Sequence, residues 1–262
     1  MKADYPIEYV PATPEYILAC IREQWRQNAL LDGEKPDDAE GQLPTFVTTV
    51  YEWREAMDLV GWRPLGKALN EDWETQFTES QWFAVLMPAR EKTLGGVCEL
   101  LATQARRWVL PSAKMLGREC AAAGVFLAMR ALLVQAGAPR ELRPSTPLEP
   151  FLQKWPEVFL QQVSRLAPGG LPFTRQNETF NTLIALSYIF SGLLLLLGLL
   201  VKDPWIASGA ITLYGLAWIG AGCGRSFPGP LRLEAVTNFH GLTETIVAQQ
   251  RRSGFGNNST AL

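Results

Sequence analysis

The fold prediction rests on an uncharged run of 21 residues, NTLIALSYIFSGLLLLLGLLV, at positions 181–201. At a rise of 1.5 Å per residue, a helix of this length spans about 32 Å, the thickness of the hydrocarbon core of a bilayer. Five consecutive leucines make the helix apolar on every side, whereas a soluble helix shows a polar face. The run therefore predicts a transmembrane helix. The alternative is a buried core helix, and a chain of 262 residues has little with which to surround one.

A second uncharged run follows almost at once, at positions 205–222. Pro204, in the turn between the runs, cannot continue the first helix but fits the first turn of a new one. The second run is rich in small residues, which let helix backbones approach closely in lipid. We therefore expect a transmembrane helical hairpin over residues 181–222, whose second helix packs on the first or on a copy in another subunit. The candidate packing residues are Gly209, Gly215, Gly220 and Gly224.

Charged and aromatic residues near the ends of the runs predict the orientation of this hairpin. The turn carries only Lys202, next to Asp203, whereas arginines flank the outer ends of both runs. These arginines are Arg165, Arg175, Arg225 and Arg232. Because basic residues concentrate on the cytoplasmic side, we expect an integral, multi-pass membrane protein with both termini in the cytoplasm. The candidate anchors at the membrane–water interface are Trp205, Arg175 and Arg225.

The remaining sequence predicts a mainly α-helical protein, with a helical cytosolic domain over residues 1–137. Candidate N-caps of its helices are Thr13, Thr78 and Thr93. The stretch 120–134 is apolar except for Arg130, and it is either a third membrane span or the central buried helix of the domain. We favour the buried helix, because an arginine near the bilayer centre costs roughly 2.5–3.5 kcal/mol.

Three further segments complete the predicted organisation. Four prolines make residues 138–150 a stiff linker and the predicted domain boundary. Residues 151–180 are predicted to form an amphipathic juxtamembrane helix and a connector. That helix either lies on the lipid headgroups or is an ordinary domain helix. Residues 223–262 are expected to be a cytoplasmic segment with a helix at about 234–252 and a flexible tail.

Composition and motifs exclude several classes of function. The chain has 24 basic and 26 acidic residues and no basic stripe, so nucleic-acid binding is not expected. The four cysteines lie far apart, and His240 is the one histidine, so neither a zinc site nor a histidine-based catalytic set is expected. No phosphate-binding glycine loop occurs, and the N-terminal residues lack the apolar core of a secretory signal. No cofactor is expected, and an enzyme is the less favoured class.

Acidic runs and tryptophans are the two features with a possible functional meaning. Paired acids can perform acid–base catalysis, but such runs are more often solvated loops. They are Asp37, Asp38 and Glu40, and then Glu71, Asp72 and Glu74. Tryptophans can line a ligand groove, but they are more often anchors of a core. Those of the predicted cytosolic domain are Trp25, Trp53, Trp62, Trp73, Trp82 and Trp108.

A short internal similarity relates residues 94–102 to residues 239–247, which share the spacing of a glycine, an apolar residue and a glutamate. A chance match of two amphipathic helices is the favoured explanation. The same pattern resembles the last helix of phosphopantetheine carrier domains, but the attachment serine in its Asp-Ser-Leu setting is missing from the chain. We expect a membrane-anchored interaction or scaffold protein, whose partners are the lipid bilayer and either another protein or a second copy of itself. The alternative is a membrane-tethered enzyme or carrier-type domain with an unrecognised active site.

Overall fold

The computed structural model describes residues 8–31, 41, 43–109, 113–115, 118–176, 186, 189–193 and 231–253. Most of these residues are helical and strands are few, so the predicted mainly α fold class is confirmed. Within the described residues, no helix combines the length and the apolar character needed to cross a membrane. Most of the predicted hairpin, residues 181–222, lies outside the described residues.

The chain forms helices and a few short strands. The first part contains β1 (Glu8–Pro11), α1 (Pro14–Leu31), α2 (Val50–Ala56), α3 (Trp62–Trp73), α4 (Glu79–Leu86), α5 (Leu94–Ala102) and β2 (Arg106–Val109). The second part contains β3 (Ala113–Met115), β4 (Arg118–Cys120), α6 (Ala121–Gln135), α7 (Glu149–Lys154), a π-helix (Val158–Val163), α8 (Ser164–Leu166), β5 (Thr174–Gln176), β6 (Leu231–Leu233) and α9 (Phe239–Ser253). The strands form the antiparallel pairs β1–β2, β3–β4 and β5–β6.

The first core forms where α1 packs on α5, and α2, α3 and α4 complete it. α1 begins as predicted, because Thr13 Oγ1 accepts a hydrogen bond from the backbone N–H of Tyr16 at 3.3 Å. Thr78 caps α4 with a capping box, also as predicted. Thr93 occupies the N-cap position of α5, but its side chain makes no capping hydrogen bond. The caps therefore locate the helix starts, and buried apolar residues hold the helices together.

The second core is built around α6. This helix covers nearly all of the stretch 120–134, for which the sequence left a membrane span and a buried helix as alternatives. α6 has 15 residues, so it is about 22 Å long and shorter than a bilayer core. Val125, Met129 and Leu133 are fully buried, and α6 packs on α9. The favoured interpretation of this stretch as a buried helix therefore agrees with the structure.

The proline-rich segment and the segment after it also contribute to the second core. Leu142 and Leu148, which lie in the predicted linker at 138–150, are buried. Phe159 and Val163 belong to the apolar stripe predicted for the juxtamembrane helix, and both are buried in the same core. The linker is therefore packed rather than extended. The stripe faces protein, because α1 and α6 offer apolar surface next to the π-helix.

Each core contains an isolated antiparallel β-bridge between two chain segments. In both cores, each of the two bridged segments continues directly into a helix. The bridges join Thr49 to Thr93 and Pro147 to Asn238. Equivalent backbone N–H groups donate to equivalent carbonyls around each bridge. In the first core the bonds are Leu94 to Thr48 (2.9 Å), Gly95 to Phe46 (2.9 Å) and Val50 to Lys92 (2.8 Å). In the second core they are Phe239 to Thr146 (3.3 Å), His240 to Pro144 (2.8 Å) and Leu148 to Thr237 (3.0 Å).

Side chains follow the same correspondence. The hydroxyl of Thr48 accepts a hydrogen bond from the N–H of Thr45 at 2.8 Å, and Thr146 accepts one from Arg143 at 3.0 Å. The helix after each second segment packs on a long helix: α5 on α1, and α9 on α6. The sequence similarity at 94–102 and 239–247 therefore reflects a repeated structural unit rather than a chance match. We call residues 8–109 unit 1 and residues 118–253 unit 2.

The pair β5–β6 encloses the sequence of the predicted hairpin. Thr174 lies opposite Leu233, and Gln176 lies opposite Leu231. Opposed residues of an antiparallel pair have Cα atoms about 4.5–5.5 Å apart. The chain that leaves unit 2 after Gln176 therefore re-enters it at Leu231, directly opposite.

Candidate functional site

A cleft of about 910 Å³ opens between the two units. The end of α3, with β1 and β2, lines one side, and α6, the π-helix and α8 line the other. Ligand sites of proteins have volumes of roughly 300–1,000 Å³ and favour the boundaries between structural units. The volume of this cleft therefore falls within the range of ligand sites, although its lining is more polar than is usual for them.

Arg165 of α8 connects the two units across this cleft. Its Nη1 donates to the backbone carbonyl of Asp72 at 2.6 Å, and its Nη2 lies 3.0 Å from Oδ2 of the same residue. The guanidinium lies 4.3 Å from the ring centroid of Trp73, where a cation–π attraction adds to the ion pair. In the sequence Arg165 is one of the charges that flank the first membrane run. Its partners are in unit 1, far away along the chain, and no local pattern indicates them.

The π-helix supplies amide side chains to the cleft. Phe159 and Val163 turn into the second core, whereas Gln161 and Gln162 are exposed and line the cleft. The Ser164 hydroxyl donates to the carbonyl of Gln161 at 3.1 Å, just where the π-helix passes into α8. π-helices are rare and occur frequently at functional sites. Its position beside the cleft is therefore a second sign of a binding function.

Two aromatic rings line the cleft from the β1–β2 pair. Tyr9 lies opposite Trp108 in the strand register, and their rings meet edge to face with centroids 5.9 Å apart. Tyr9 remains 48% exposed. Burial raises the pKa of the Tyr9 hydroxyl, and the negative charge of Glu74 raises this pKa further. The charge of the Glu74 carboxylate therefore acts on the Tyr9 hydroxyl.

Glu74 ends α3 in a left-handed conformation, with φ 52° and ψ 41°. This conformation costs a residue other than glycine about 1–2 kcal/mol, so neighbouring contacts have to hold it. Asn70 provides them: its carbonyl accepts the N–H of Glu74, and its Oδ1 accepts the N–H of Phe77 at 3.1 Å and the hydroxyl of Thr75 at 3.0 Å. The turn therefore fixes the position of Glu74 at the edge of the cleft.

The acidic run at 71–74 lines the cleft, although the sequence favoured a solvated loop. Asp72 is paired with Arg165, and Glu71 lies 3.8 Å from Lys67 in an exposed pair that contributes little stability. Among the described residues, no salt bridge includes Glu74. The cleft therefore contains one carboxylate available to a ligand beside the rings.

The tryptophans divide between the two roles considered from the sequence. Trp53, Trp73 and Trp82 are buried in the first core, as anchors of a core should be. Trp73 and Trp108 also line the cleft, and Trp108 is only partly buried. The cleft therefore uses two of the tryptophans, and pattern alone does not distinguish them from the others.

The membrane residues predicted from the sequence lie largely beyond what the structure describes. The residues outside it are the packing candidates Gly209, Gly215, Gly220 and Gly224 and the anchor candidates Trp205 and Arg225. Arg175 is described in its backbone and lies in β5, opposite Arg232 of β6. The side chain of Arg232 pairs with Glu149 at 2.8 Å. These predictions therefore remain predictions.

Two buried thiols, those of Cys20 and Cys98, are not prepared for nucleophilic chemistry. Burial raises the pKa of Cys20 and that of Cys98 to about 12, so both are protonated at neutral pH. His240 lies on the surface of α9, 3.4 Å from Glu244. Within the described ranges, no group of three or more potential ligand side chains could hold a metal ion.

Comparison of the chain with protein-family models, with curated proteins and with solved structures gives no match. The features of the molecule that bear on its function are the cleft, the insertion between β5 and β6, and the uncharged runs in the sequence of that insertion.

Proposed function

We propose that the protein is a membrane-anchored interaction protein. Residues 181–222 form its membrane hairpin, and the cleft between the two units binds its partner. Four large apolar side chains in the first run carry the membrane part of this proposal. Leu186, Ile189, Phe190 and Leu193 are between 54% and 61% exposed.

Their spacing strengthens the argument. These four positions follow i, i+3, i+4 and i+7, so they form one apolar face of a helix, and residues 189–193 are helical. In a buried core helix such a face would be covered by the rest of the chain. Exposed apolar surface of this kind is characteristic of a contact with lipid or with another protein. The absence of charge over 181–201 favours lipid.

The β5–β6 pair supports a hairpin with adjacent ends. An insertion that leaves after Gln176 and returns at Leu231 begins and ends on the same side of unit 2. Two antiparallel membrane helices joined by the short turn at 202–204 have the same property. We therefore propose an integral membrane protein with both units on one side, and the positive flanks place that side in the cytoplasm. The second helix remains the proposed surface for self-association.

The alternative function, a membrane-tethered enzyme, has one observation in its favour. Three carboxylates of the run 71–74 and two tryptophans line the same cleft, and paired acids can perform acid–base catalysis. Binding is the better supported role, because Arg165 already engages Asp72 and Lys67 lies beside Glu71. The Asp72 carboxylate is therefore already engaged by a cation of the chain itself.

Membrane fractionation of the full-length protein tests the anchor. After a carbonate wash, the protein is expected to remain in the pellet. Leu193→Arg places a charge in the proposed span, where it costs roughly 2.5–3.5 kcal/mol, and should shift protein into the supernatant. Val47→Arg is the matched control, because Val47 is an exposed apolar residue of unit 1. Release of the unsubstituted protein by carbonate would contradict the proposed anchor.

Cysteine accessibility tests the orientation in intact cells. An impermeant thiol reagent should label a cysteine placed at Lys202, in the turn, more than the parent protein. A cysteine placed at Ser253, the last residue of α9, should show no additional labelling. The reverse pattern would show that the two units lie on the outer side.

A further inference from the structure

We propose that a pocket on the surface of unit 1 binds a proline-rich segment of a partner protein. Residues of α3 and α4 line this pocket, and its volume of about 350 Å³ lies within the range of ligand sites. Its aromatic lining consists of Trp62, Phe77 and Trp82. The pocket shares no lining residue with the cleft, so it is a second binding site that goes beyond the proposed function.

The lining of this pocket includes a buried hydrogen-bond donor without an acceptor. Trp82 is only 2% exposed, and its Nε1 has no hydrogen-bond partner among the described residues. The ring of Phe77 meets the indole edge to face with centroids 5.4 Å apart, but a ring is a weak acceptor. Buried donors of this kind are rare in native proteins, because each forgoes a hydrogen bond that water would supply. A ligand that brings an acceptor to this N–H would remove that loss.

The polar side chains of the pocket are mostly donors. Asn70 Oδ1 already accepts two hydrogen bonds, at 3.0 Å and 3.1 Å, so both of its lone pairs are used. Arg63 and Lys67 carry donors only. Glu79 is the one carboxylate of the described lining residues, and Arg63 Nε donates to it at 3.2 Å. A complementary ligand therefore presents acceptors and few donors.

A proline-rich segment has this hydrogen-bonding character. Proline has no N–H, whereas the carbonyl that precedes it remains an acceptor. Both cations of the lining already have a carboxylate partner, because Arg63 pairs with Glu79 and Lys67 lies 3.8 Å from Glu71. An uncharged, donor-poor segment is therefore favoured over an acidic one.

Exposed apolar surface continues from the pocket. Trp62 meets Phe83 edge to face with ring centroids 5.3 Å apart, and Phe83 and Val60 are 50% and 55% exposed. Arg63, whose guanidinium lies 4.6 Å from the ring centroid of Trp62, has a side chain that is 66% exposed and can move aside as a ligand enters. Proline-rich segments dock on aromatic surfaces as a preformed polyproline II helix, so they lose little entropy on binding. The surface therefore fits the same partner as the buried donor.

Titration of the full-length protein in detergent with short peptides tests this site. The probes are acetylated, amidated Ala-Pro-Pro-Ala-Pro-Pro-Ala, its counterpart with glycine in place of every proline, and the glycine peptide with one aspartate in each Gly-Gly pair. In calorimetry the proline peptide should bind at least about tenfold more tightly than the other two, a difference of about 1.4 kcal/mol. In a proton–nitrogen NMR spectrum, the indole N–H signal of Trp82 should move downfield with the proline peptide, because this donor gains an acceptor.

Two variants locate the site. Trp82→Phe keeps a buried ring, removes the N–H and identifies the indole signal, and it should weaken binding of the proline peptide by several-fold. Trp53→Phe is its matched control, because Trp53 is buried in the same core but does not line the pocket. Phe83→Ala should also weaken binding, and Tyr51→Ala, at an exposed aromatic residue of α2, is its control. Thermal melts of each variant verify that the fold is retained.

Several outcomes would overturn the proposed site. They are equal affinity for the three peptides, tighter binding of the aspartate peptide, no binding of the proline peptide at about 1 mM, or an indole signal of Trp82 that does not move. Unchanged affinity in Trp82→Phe would also overturn it. If that variant does not fold, the NMR shift and Phe83→Ala still decide, because Phe83 is half exposed.

The pocket and the proposed membrane anchor are tested independently. Trp82→Phe and Phe83→Ala change no residue of 181–222, so both variants should remain in the carbonate-washed pellet. A protein that stays in the pellet but shows no preference for proline keeps its anchor and loses the proposed pocket. Release by carbonate of a protein that binds the proline peptide would remove the anchor and keep the pocket.

Discussion

Replacement of Glu23 by alanine is expected to be among the most destabilising single changes in the chain. Glu23 lies on α1 with only 1% of its side chain exposed. Its carboxylate accepts hydrogen bonds from Arg26 at 2.8 Å, from Gln27 at 2.8 Å and from the backbone N–H of Gly169 at 2.9 Å. The network therefore joins unit 1 to the segment of unit 2 that leads towards residues 177–230.

The same network extends along that segment. Arg26 donates to the carbonyl of Leu171 at 2.6 Å. The side-chain carbonyl of Gln27 accepts from the hydroxyl of Thr174 at 2.6 Å. Glu23→Ala leaves the guanidinium of Arg26 without its counter-charge in a buried site. Breaking a buried ion pair in this way costs about 3–5 kcal/mol.

The assay is a thermal melt of the full-length protein in detergent, monitored by tryptophan fluorescence. At about 2–4 °C per kcal/mol for a chain of this size, Glu23→Ala should lower Tm by roughly 6–20 °C. Glu15→Ala is the matched control, because Glu15 is an exposed glutamate of the same helix. Its effect should stay below about 1 kcal/mol.

A double substitution tests the cause of this loss. Glu23→Ala combined with Arg26→Met removes both charges, and an apolar side chain of similar length replaces the guanidinium. Since no uncompensated charge remains buried, the double variant should recover part of the lost Tm. If Glu23→Ala melted within a few degrees of Glu15→Ala, or if the double variant melted lowest, the buried network would not hold the units as described.

Two further predictions concern the first core. Gly66→Ala should destabilise the protein by about 1–3 kcal/mol in urea unfolding, because a Cβ at Gly66 would lie 2.7 Å from the ring of Trp82. Gly96→Ala, which meets no atom within 4 Å, should be neutral or slightly stabilising. Thr49→Ala should lower Tm at both pH values, and by somewhat more at neutral pH than in acid. Hydrogen bonds from the backbone and the side chain of Thr49 lower the pKa of Glu52 in the folded protein, and the substitution removes the side-chain one.

The sign of this pH dependence follows from the direction of the shift. The part of the stabilisation that depends on the charge of Glu52 is complete above the ordinary glutamate pKa of 4.5 and is lost as the pH falls through the lower folded pKa, whereas the bond from the Glu52 N–H to Thr49 Oγ1 remains. Thr78 provides the control, because its capping box uses the neutral side chain of Gln81. Thr78→Ala should cost about 0.5–2 kcal/mol at both pH values. Equal pH dependence of the two variants would contradict the role given to Glu52.

Features encoded within a few neighbouring residues were predicted correctly. Thr13 and Thr78 cap helices, because a side-chain oxygen reaches an N–H two or three residues ahead. The single arginine in 120–134 indicated a buried helix rather than a span, and α6 is that helix. Mainly helical structure also follows from local periodicity.

Features that depend on distant residues were not predictable from one sequence. Arg165 connects the two units through Asp72 and Trp73, which belong to unit 1 and lie far from it in the sequence. The apolar stripe of residues 151–166 has the same sequence pattern whether it faces lipid or protein. In the structure α1 and α6 pack against it, so it faces protein. The bridges at Thr49 and Pro147 share a backbone geometry rather than a residue type, so the repeat is weak in sequence.

By itself, the sequence determined the helix starts, the mainly α class and the uncharged runs, because each depends on the chemistry of adjacent residues. The tertiary structure decided the rest. It showed that two similar units pack together, that the run 71–74 lies at the cleft between them, and that Gln176 and Leu231, which flank residues 177–230, lie opposite each other. These features arise from contacts between residues far apart in the chain, which only the packing of buried apolar surface brings together.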